Sequence, residues 1–315
     1  MILITGGLGF IGSHTVQALL DAGEECVLVQ RSHAELPAGR FDAPIHLEQA
    51  DVADLTTLLD IGKRHPITGI VHLAGSMPWP PSSEPPIEAT RRALGGLLNV
   101  FQAAQDWGVK RVGVASTIGV YGGAAADGPL TEDMPLSMSA PHLIPTFKKI
   151  GELLNDYLTG VTDIEIVNYR ISGTWGPLGH LPDRFFAAPS LVHAAVSGHK
   201  PDLSGLRTPA HAEDSLDLCY VKDTARAITL LQLAGKLSHS TYNVASGRAT
   251  TNAEVIAAIK KVIPDAQIDL PTGGTAAQSY LDITRIQQDT GYLPTYDTER
   301  AAADYIAWLR AGHEL

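Results

Sequence analysis

Short apolar runs separated by helix-length amphipathic segments recur through the first 170 residues, and this alternation constrains the fold more than any other feature of the chain. The runs are "MILIT", "ECVLVQ", "PIHLEQAD", "GIVHLAG", "RVGVAST" and "DIEIVNYR". Parallel neighbours need a crossover between them, and the intervening segments are long enough to be helices, so the pattern predicts βαβ units and a parallel sheet covered on both faces. "GSHTVQALLDAG" predicts one crossover helix, with Val16, Leu19 and Leu20 on its apolar face and Gly23 as its stop. "EATRRALGGLLNVFQAAQDWG" predicts another, ended by Gly108. Beyond about residue 172 the alternation weakens and Pro and Gly punctuate the chain more often. The expectation is therefore α/β: a doubly wound parallel sheet over 1–171, to which a stretch near 215–245 returns, and a smaller α/β substrate lobe over most of 172–315.

Charge and composition narrow the function. The chain has 315 residues and a formal net charge of −11, which argues against an extended nucleic-acid surface, because such a surface needs clustered Lys and Arg. No apolar run reaches the roughly 18 residues of a membrane span, and "MILITGG" enters a strand with no basic leader before it, so a cytoplasmic protein is expected. Cys26 and Cys219 stand far apart in apolar surroundings and read as buried free thiols. Twelve histidines raise the question of a metal, but none forms an H-x-x-x-H pair or a His–carboxylate cluster with ligand spacing, so no metal site is expected. A small molecule held in a cleft is the remaining class of partner.

"ITGGLGFIG" runs from the first strand into the first helix and sets Gly6, Gly9 and Gly12 three residues apart. Such glycines allow a tight turn, close approach of a pyrophosphate and close helix–strand packing, while the helix N-terminus offers unpaired N–H groups; Phe10 and Ile11 belong to the same turn. After the second strand, where NAD-binding chains commonly carry an acid, this one has Gln30, Arg31 and Ser32. A neutral side chain followed by a cation and a hydroxyl suits a 2′-phosphate, so NADP is expected ahead of NAD. Asp51 and Val52 after the third strand are candidates to meet adenine, and Leu73, Ala74 and Gly75 after the fourth to meet the rest of the dinucleotide. "MPWPPSSEPP", with five prolines, reads as an extended surface loop or as a lid in which Trp79 stacks on a ligand.

In order along the chain, "TGGLGFIGSH", "VHLAG", "GVKRVGVASTIGVYG", "FKKIGELL", "YRISGTWGP", "CYVKDTARAI", "YNVASG" and "DITRIQQDTGYLP" resemble the extended short-chain dehydrogenases/reductases, the NAD-dependent epimerase/dehydratase family. The resemblance covers nearly the whole chain. It implies a Rossmann domain with a smaller C-terminal substrate domain and a homodimer through two helices per subunit at about 88–107 and 145–159, while the departures at the substrate end described below favour a smaller sugar- or polyol-like substrate bearing a hydroxyl or carbonyl over a UDP- or TDP-sugar. Leu97, Leu98 and Phe101 suit that interface, or else they face the sheet. Family catalysis uses a Ser or Thr, a Tyr and a Lys, commonly with a helix Asn. Thr117, five residues before Gly122, falls on the hydroxyl position and is expected to orient the substrate. Lys148 falls on the lysine and is expected to bind the nicotinamide ribose, with Ile171 and the segment after it closing the cofactor and substrate sides.

Two of the four roles have no occupant. The tyrosine position, four residues before Lys148, holds Ile144, and the asparagine position holds Ala93. His142 and Tyr121 are the nearest substitute acids, although a tyrosine in "VYG" ordinarily serves the fold. The substrate end departs too: Gly173 stands where sugar-nucleotide members commonly have Asn, and Leu216 where they often have Arg. Ser76, Trp79, Thr117, Ile144, Gly173 and Thr174 are the substrate-facing candidates, and Glu213, Asp214 and Asp217 offer hydrogen bonds to a polyol or form a solvated acidic loop. The expected activity is an NAD(P)-dependent oxidoreductase, epimerase or dehydratase with an incomplete tetrad. The alternatives are a catalytically impaired nucleotide sensor or structural protein, and a sugar-nucleotide epimerase/dehydratase.

Overall fold

Six strands of the central sheet lie where the alternation places them. In the computed structural model they are β1 (Ile2–Thr5), β2 (Cys26–Gln30), β3 (His46–Gln49), β4 (Gly69–His72), β5 (Arg111–Thr117) and, beyond the two-residue β6 (Pro129–Leu130), β7 (Glu165–Ile171). The structure describes residues 1–32, 35–36, 40–41, 43–75, 84–123, 128–140 and 142–312. The crossovers are α1 (Phe10–Asp21), α2 (Leu55–Arg64), α3 (Pro86–Asp106) and α4 (Leu143–Val161). Gly23 and Gly108 follow α1 and α3 with φ of +87° and +68°, the left-handed backbone that ends a helix cheaply only at glycine.

The later elements are β8 (Gly173–Trp175), α5 (Ala188–Ser197), β9 (Ser215–Leu216), β10 (Leu218–Tyr220), α6 (Val221–Leu233), β11 (Thr241–Val244), β12 (Thr250–Thr251), α7 (Asn252–Val262), β13 (Tyr280–Leu281), α8 (Thr284–Thr290) and α9 (Thr298–Arg310). The main sheet runs β11-β7-β5-β4-β1-β2-β3 with every pair parallel, so its last edge strand arrives after the chain has left the sheet. The order reverses at β1, which has β4 on one side and β2 on the other, with Ile4 opposite both Val71 and Leu28. A crevice opens at the C-terminal ends of the strands at such a reversal, and ligands of doubly wound sheets bind there.

Both faces are covered over β1, β2, β4, β5 and β7, which is why those strands read as continuous apolar runs, while the edge strand β3 is half-exposed. Leu58 and Ile61 of α2 and Leu97, Val100, Phe101 and Ala104 of α3 pack on one side against Val27, Ile70, Val112 and Ile166. Val16 and Leu19 of α1 and Ile228 and Leu231 of α6 pack on the other against Leu28, Val71 and Val167. Leu97 and Phe101 thus face the sheet, while Leu98 is 46% exposed. A separate core of Trp175, Leu191, Val255, Ile259 and Tyr305 joins α5, α7 and α9 to β8 and β10. Cys26 and Cys219 are free and buried, and burial pushes both thiols up to about 12. Among the described residues no helix is long and apolar enough to cross a membrane, and no side-chain cluster has the makings of a metal site.

Candidate cofactor and substrate site

The glycine turn is built so tightly that the fold itself demands glycine. A Cβ on Gly12 would lie 2.0 Å from Gly6 O, and one on Gly6, at φ +72°, would lie 2.9 Å from Ala74 N. The turn is closed by Gly9 N–H donating to Gly6 O at 3.0 Å. Gly9 caps α1 with no side-chain bond, which leaves the first-turn N–H groups of Phe10, Ile11 and Gly12 facing the crevice with no side chain to accept from them. A Cβ on Gly75, after β4, would meet nothing within 4 Å, so space stands open beside the Leu73–Ala74–Gly75 turn. Thr5 Oγ1 accepts from Ala74 N–H at 3.2 Å and pairs with His72 Nδ1 at 2.8 Å, tying that turn to β1. These features fit a dinucleotide pyrophosphate.

The adenosine end has fewer fixed partners. Gln30 is half-buried and its Nε2 has no hydrogen-bond partner, while Arg31 and Ser32 are exposed. Asp51 is half-buried and accepts from Ala53 N–H, Val52 is buried, and Asn99 Nδ2 donates to Val52 O at 2.9 Å. Arg40, which no sequence signal singles out, reaches Ser13 Oγ in α1 at 3.5 Å.

Thr117 ends β5, where its Oγ1 accepts from Gly119 N–H at 3.2 Å and keeps its own proton to donate. Lys148 Nζ donates to Ala115 O at 2.6 Å, and burial lowers the ammonium to about 8, with Glu152 opposing the shift. Lys148, Ala93, His72, Ala74, Gly75, Ser116, Glu152 and Asn155 share a cavity of about 50 Å³. The vacancy left by the small Ala93 side chain therefore sits against the lysine. Burial, with Lys148 nearby, lowers His72 to about 3, so it is neutral.

Ile144 lies half-buried in the first turn of α4, and His142 is that helix's N-cap residue. The His142 ring sits 6.0 Å from Phe185, and burial and then Arg207 lower its pKa, so it is neutral near pH 7. Tyr121 serves the fold: its hydroxyl donates to Asn243 Oδ1 at 2.8 Å and accepts from Arg170 Nη1 at 2.9 Å. Arg170 Nη2 in turn donates to Glu152 Oε2 at 2.7 Å, a buried pair that clamps α4 to β7.

At the substrate end, Ile171 closes β7, and Thr174 is buried with its hydroxyl on Ser172 O and Thr224. A Cβ on Gly173 would lie 2.6 Å from Leu216 Cδ2. Asp217 is fully buried and accepts from the N–H groups of Ser246, Gly247 and Leu281, so it stitches the fold together and does not reach a substrate. Glu213 is exposed, while Asp214 borders a cavity of about 560 Å³ together with Phe185, Phe186, Leu206 and Leu216. Ser76 and Trp79 lie outside the described residues.

Comparison with known proteins adds family to fold. The profile of the NAD dependent epimerase/dehydratase family matches residues 2–245. The UDP-glucose 4-epimerase of Azospirillum brasilense is 27% identical over 328 residues, covering 98% of this chain and 92% of its own. That of Neisseria gonorrhoeae is 27% identical over 332 residues, covering 98% and 97%. MoeE5, solved with UDP-glucuronic acid and NAD, superposes with a TM-score of 0.77 at 25% identity over 99% of both chains. UDP-glucose 4-epimerase of Thermotoga maritima, solved with UDP-glucose, gives 0.80 at 21% over 99% of both, a likeness of fold. MoeE5 and the UDP-glucose 4-epimerases of Stenotrophomonas maltophila and Bifidobacterium longum were each solved with NAD, so the expectation of NADP drawn from Gln30, Arg31 and Ser32 gains no support. The glycine cradle at a sheet reversal and this ordered match agree: the chain belongs to the NAD-dependent epimerase/dehydratase family, the extended short-chain dehydrogenases/reductases.

Proposed function

We propose that the chain is an NAD-dependent enzyme acting at a hydroxyl or carbonyl of a carbohydrate-like substrate, with its proton step left to water or the substrate. One observation carries this reading: the glycine cradle, Thr117 and the half-buried Lys148 are all present, while the first turn of α4 presents Ile144. Bound NAD supplies hydride acceptance and return. The chain's own groups do the rest. First-turn N–H groups of α1 hold the pyrophosphate, Gln30 meets the adenosine ribose with its unused amide, and Asp51 and Val52 border the adenine. The Lys148 ammonium holds the nicotinamide ribose, and Thr117 donates to the substrate oxygen. Relatives in the family act on UDP-glucose by name, which supports a sugar as the reacting part. We also propose that residues 1–171 and a returning part near 215–245 hold the cofactor, that most of 172–315 shapes the substrate end, and that two copies pair through α3 and α4.

The test is single-turnover formation of reduced nicotinamide by the parent and by Ile144→Tyr, with NAD and a panel of sugars and glycosides. Restoring a general acid–base group, which in this direction takes the hydroxyl proton, is worth about 10²–10⁴ in rate. A gain of that order with unchanged NAD affinity is expected. Equal rates in the two proteins would show that no proton-transfer group is missing at this position and would overturn the reading.

A further inference from the structure

The cavity beside Phe185 and Leu216 has the size of a ligand site, about 560 Å³. It reaches toward the N-terminal end of α4, where the ring of its wall residue Phe185 lies 6.0 Å from that of His142, two residues before Ile144. Its chemistry is at odds with a nucleoside diphosphate. Among the described residues that line it there is no Lys or Arg, and hydrocarbon comes from Phe185, Phe186, Leu206, Leu216 and Leu218. The one carboxylate, Asp214, is held by N–H groups of His211 at 2.7 Å and Thr275 at 2.8 Å. Burial would raise its pKa, but those hydrogen bonds outweigh burial and lower it, so it is ionised at neutral pH. Arg207, the cation that His142 senses, is exposed and does not line the cavity. A diphosphate here would give up water and gain no guanidinium clamp.

Gly173 and Leu216 make this arrangement a matter of packing. The Leu216 methyl lies where any Cβ at 173 would go, at 2.6 Å, and Asp217 O lies at 3.0 Å from the same point. A side chain at 173 would therefore crowd Leu216, whose methyl would have to turn away, and with glycine there the Leu216 hydrocarbon is free to form the cavity wall. We propose that this cavity receives the uncharged, hydrocarbon-bearing end of a hydroxylated substrate, such as the aglycone of a neutral glycoside, and excludes nucleoside diphosphates, with Leu216 and Gly173 setting the preference. Thr208, Thr250 and Asn252 on the wall supply polar contacts to hydroxyls, and Phe185 and Phe186 offer faces to a ring. The inference rests on the cofactor reading above, since it assigns the other end of the same substrate.

Calorimetric titration of the full chain separates the two. NAD alone is titrated first; failure to bind it defeats the cofactor reading whatever the second ligand does. With NAD present, UDP and para-nitrophenyl glucoside are then titrated into the parent and into Leu216→Arg. The parent is expected to bind the glucoside at least about tenfold more tightly than UDP, and Leu216→Arg to tighten UDP by about tenfold while weakening the glucoside. Should Leu216→Arg not fold, Leu216→Ala is expected to weaken the glucoside with no gain in UDP binding. UDP binding by the parent as tight as the glucoside, or no glucoside binding by NAD-loaded parent, overturns the proposal.

Discussion

Lys148 is the residue at which burial and charge meet most directly. Its ammonium is lowered to about 8 from 10.5, so it is a cation below that pH and neutral above it. If the charged form holds the ribose, NAD affinity will be level at neutral pH and decline through about pH 8, and Lys148→Arg, which stays charged, will flatten the profile. The same shift acts on stability in the opposite direction. The unfolded chain keeps this proton to higher pH, so the lysine's penalty is present below about 8 and is relieved between about 8 and 10.5. A denaturation series across that range checks the sign. Gly12→Ala is expected to abolish NAD binding and to cost roughly 1–3 kcal/mol in denaturant unfolding, because the methyl meets backbone that cannot step aside. Gly12 is legible in the sequence, since its spacing and its place between strand and helix are both visible there. Arg40 is not: its approach to Ser13 joins residues far apart in the chain that no local pattern connects.

Among the elements, α4 does most to join cofactor and substrate sides, and a single buried ion pair fixes it. Glu152 and Arg170 are 9% and 5% exposed, and Ser116 also donates to Glu152. Glu152→Gln leaves the guanidinium of Arg170 buried without its counter-charge, so a loss of roughly 3 kcal/mol is expected in chemical denaturation. Strands β1, β2, β4, β5 and β7 were readable because they are largely buried runs separated by helix-length crossovers, and the half-exposed edge strand β3 because it keeps the same spacing. The lobe was not readable in the same way. Its strands β8, β9, β10 and β12 have two or three residues each, too few to show a period. Its cavity draws walls from residues 185–187, 208–211, 214–216 and 274–275 with Leu206, Leu218, Thr250 and Asn252, which no local pattern connects. The acidic "HAEDSLD" shows the limit: composition left its carboxylates equivalent, whereas the fold sends Asp217 into the interior, Asp214 to the cavity and Glu213 to solvent.

At the scale of the whole molecule, apolar side chains exposed on the two outer helices bear on assembly. Leu153, Tyr157 and Val161 recur four residues apart on α4 and are 60%, 64% and 60% exposed, with Leu98 on α3. Pairing of two copies through these helices predicts that Leu153→Glu together with Leu98→Glu halves the sedimenting mass and leaves NAD binding intact; an unchanged mass would exclude this interface. The path of the main sheet has a further consequence for how the chain is made. Strand β7 gains its neighbour β11 only when Thr241–Val244 is available. During synthesis from the N-terminus, the nascent chain therefore carries β7 as a bare edge throughout the time that α5 and the strands after it are being added. The interval between Ile171 and Thr241 is the stretch of translation in which this protein is most open to mispairing with another copy, and a pause there would prolong the hazard.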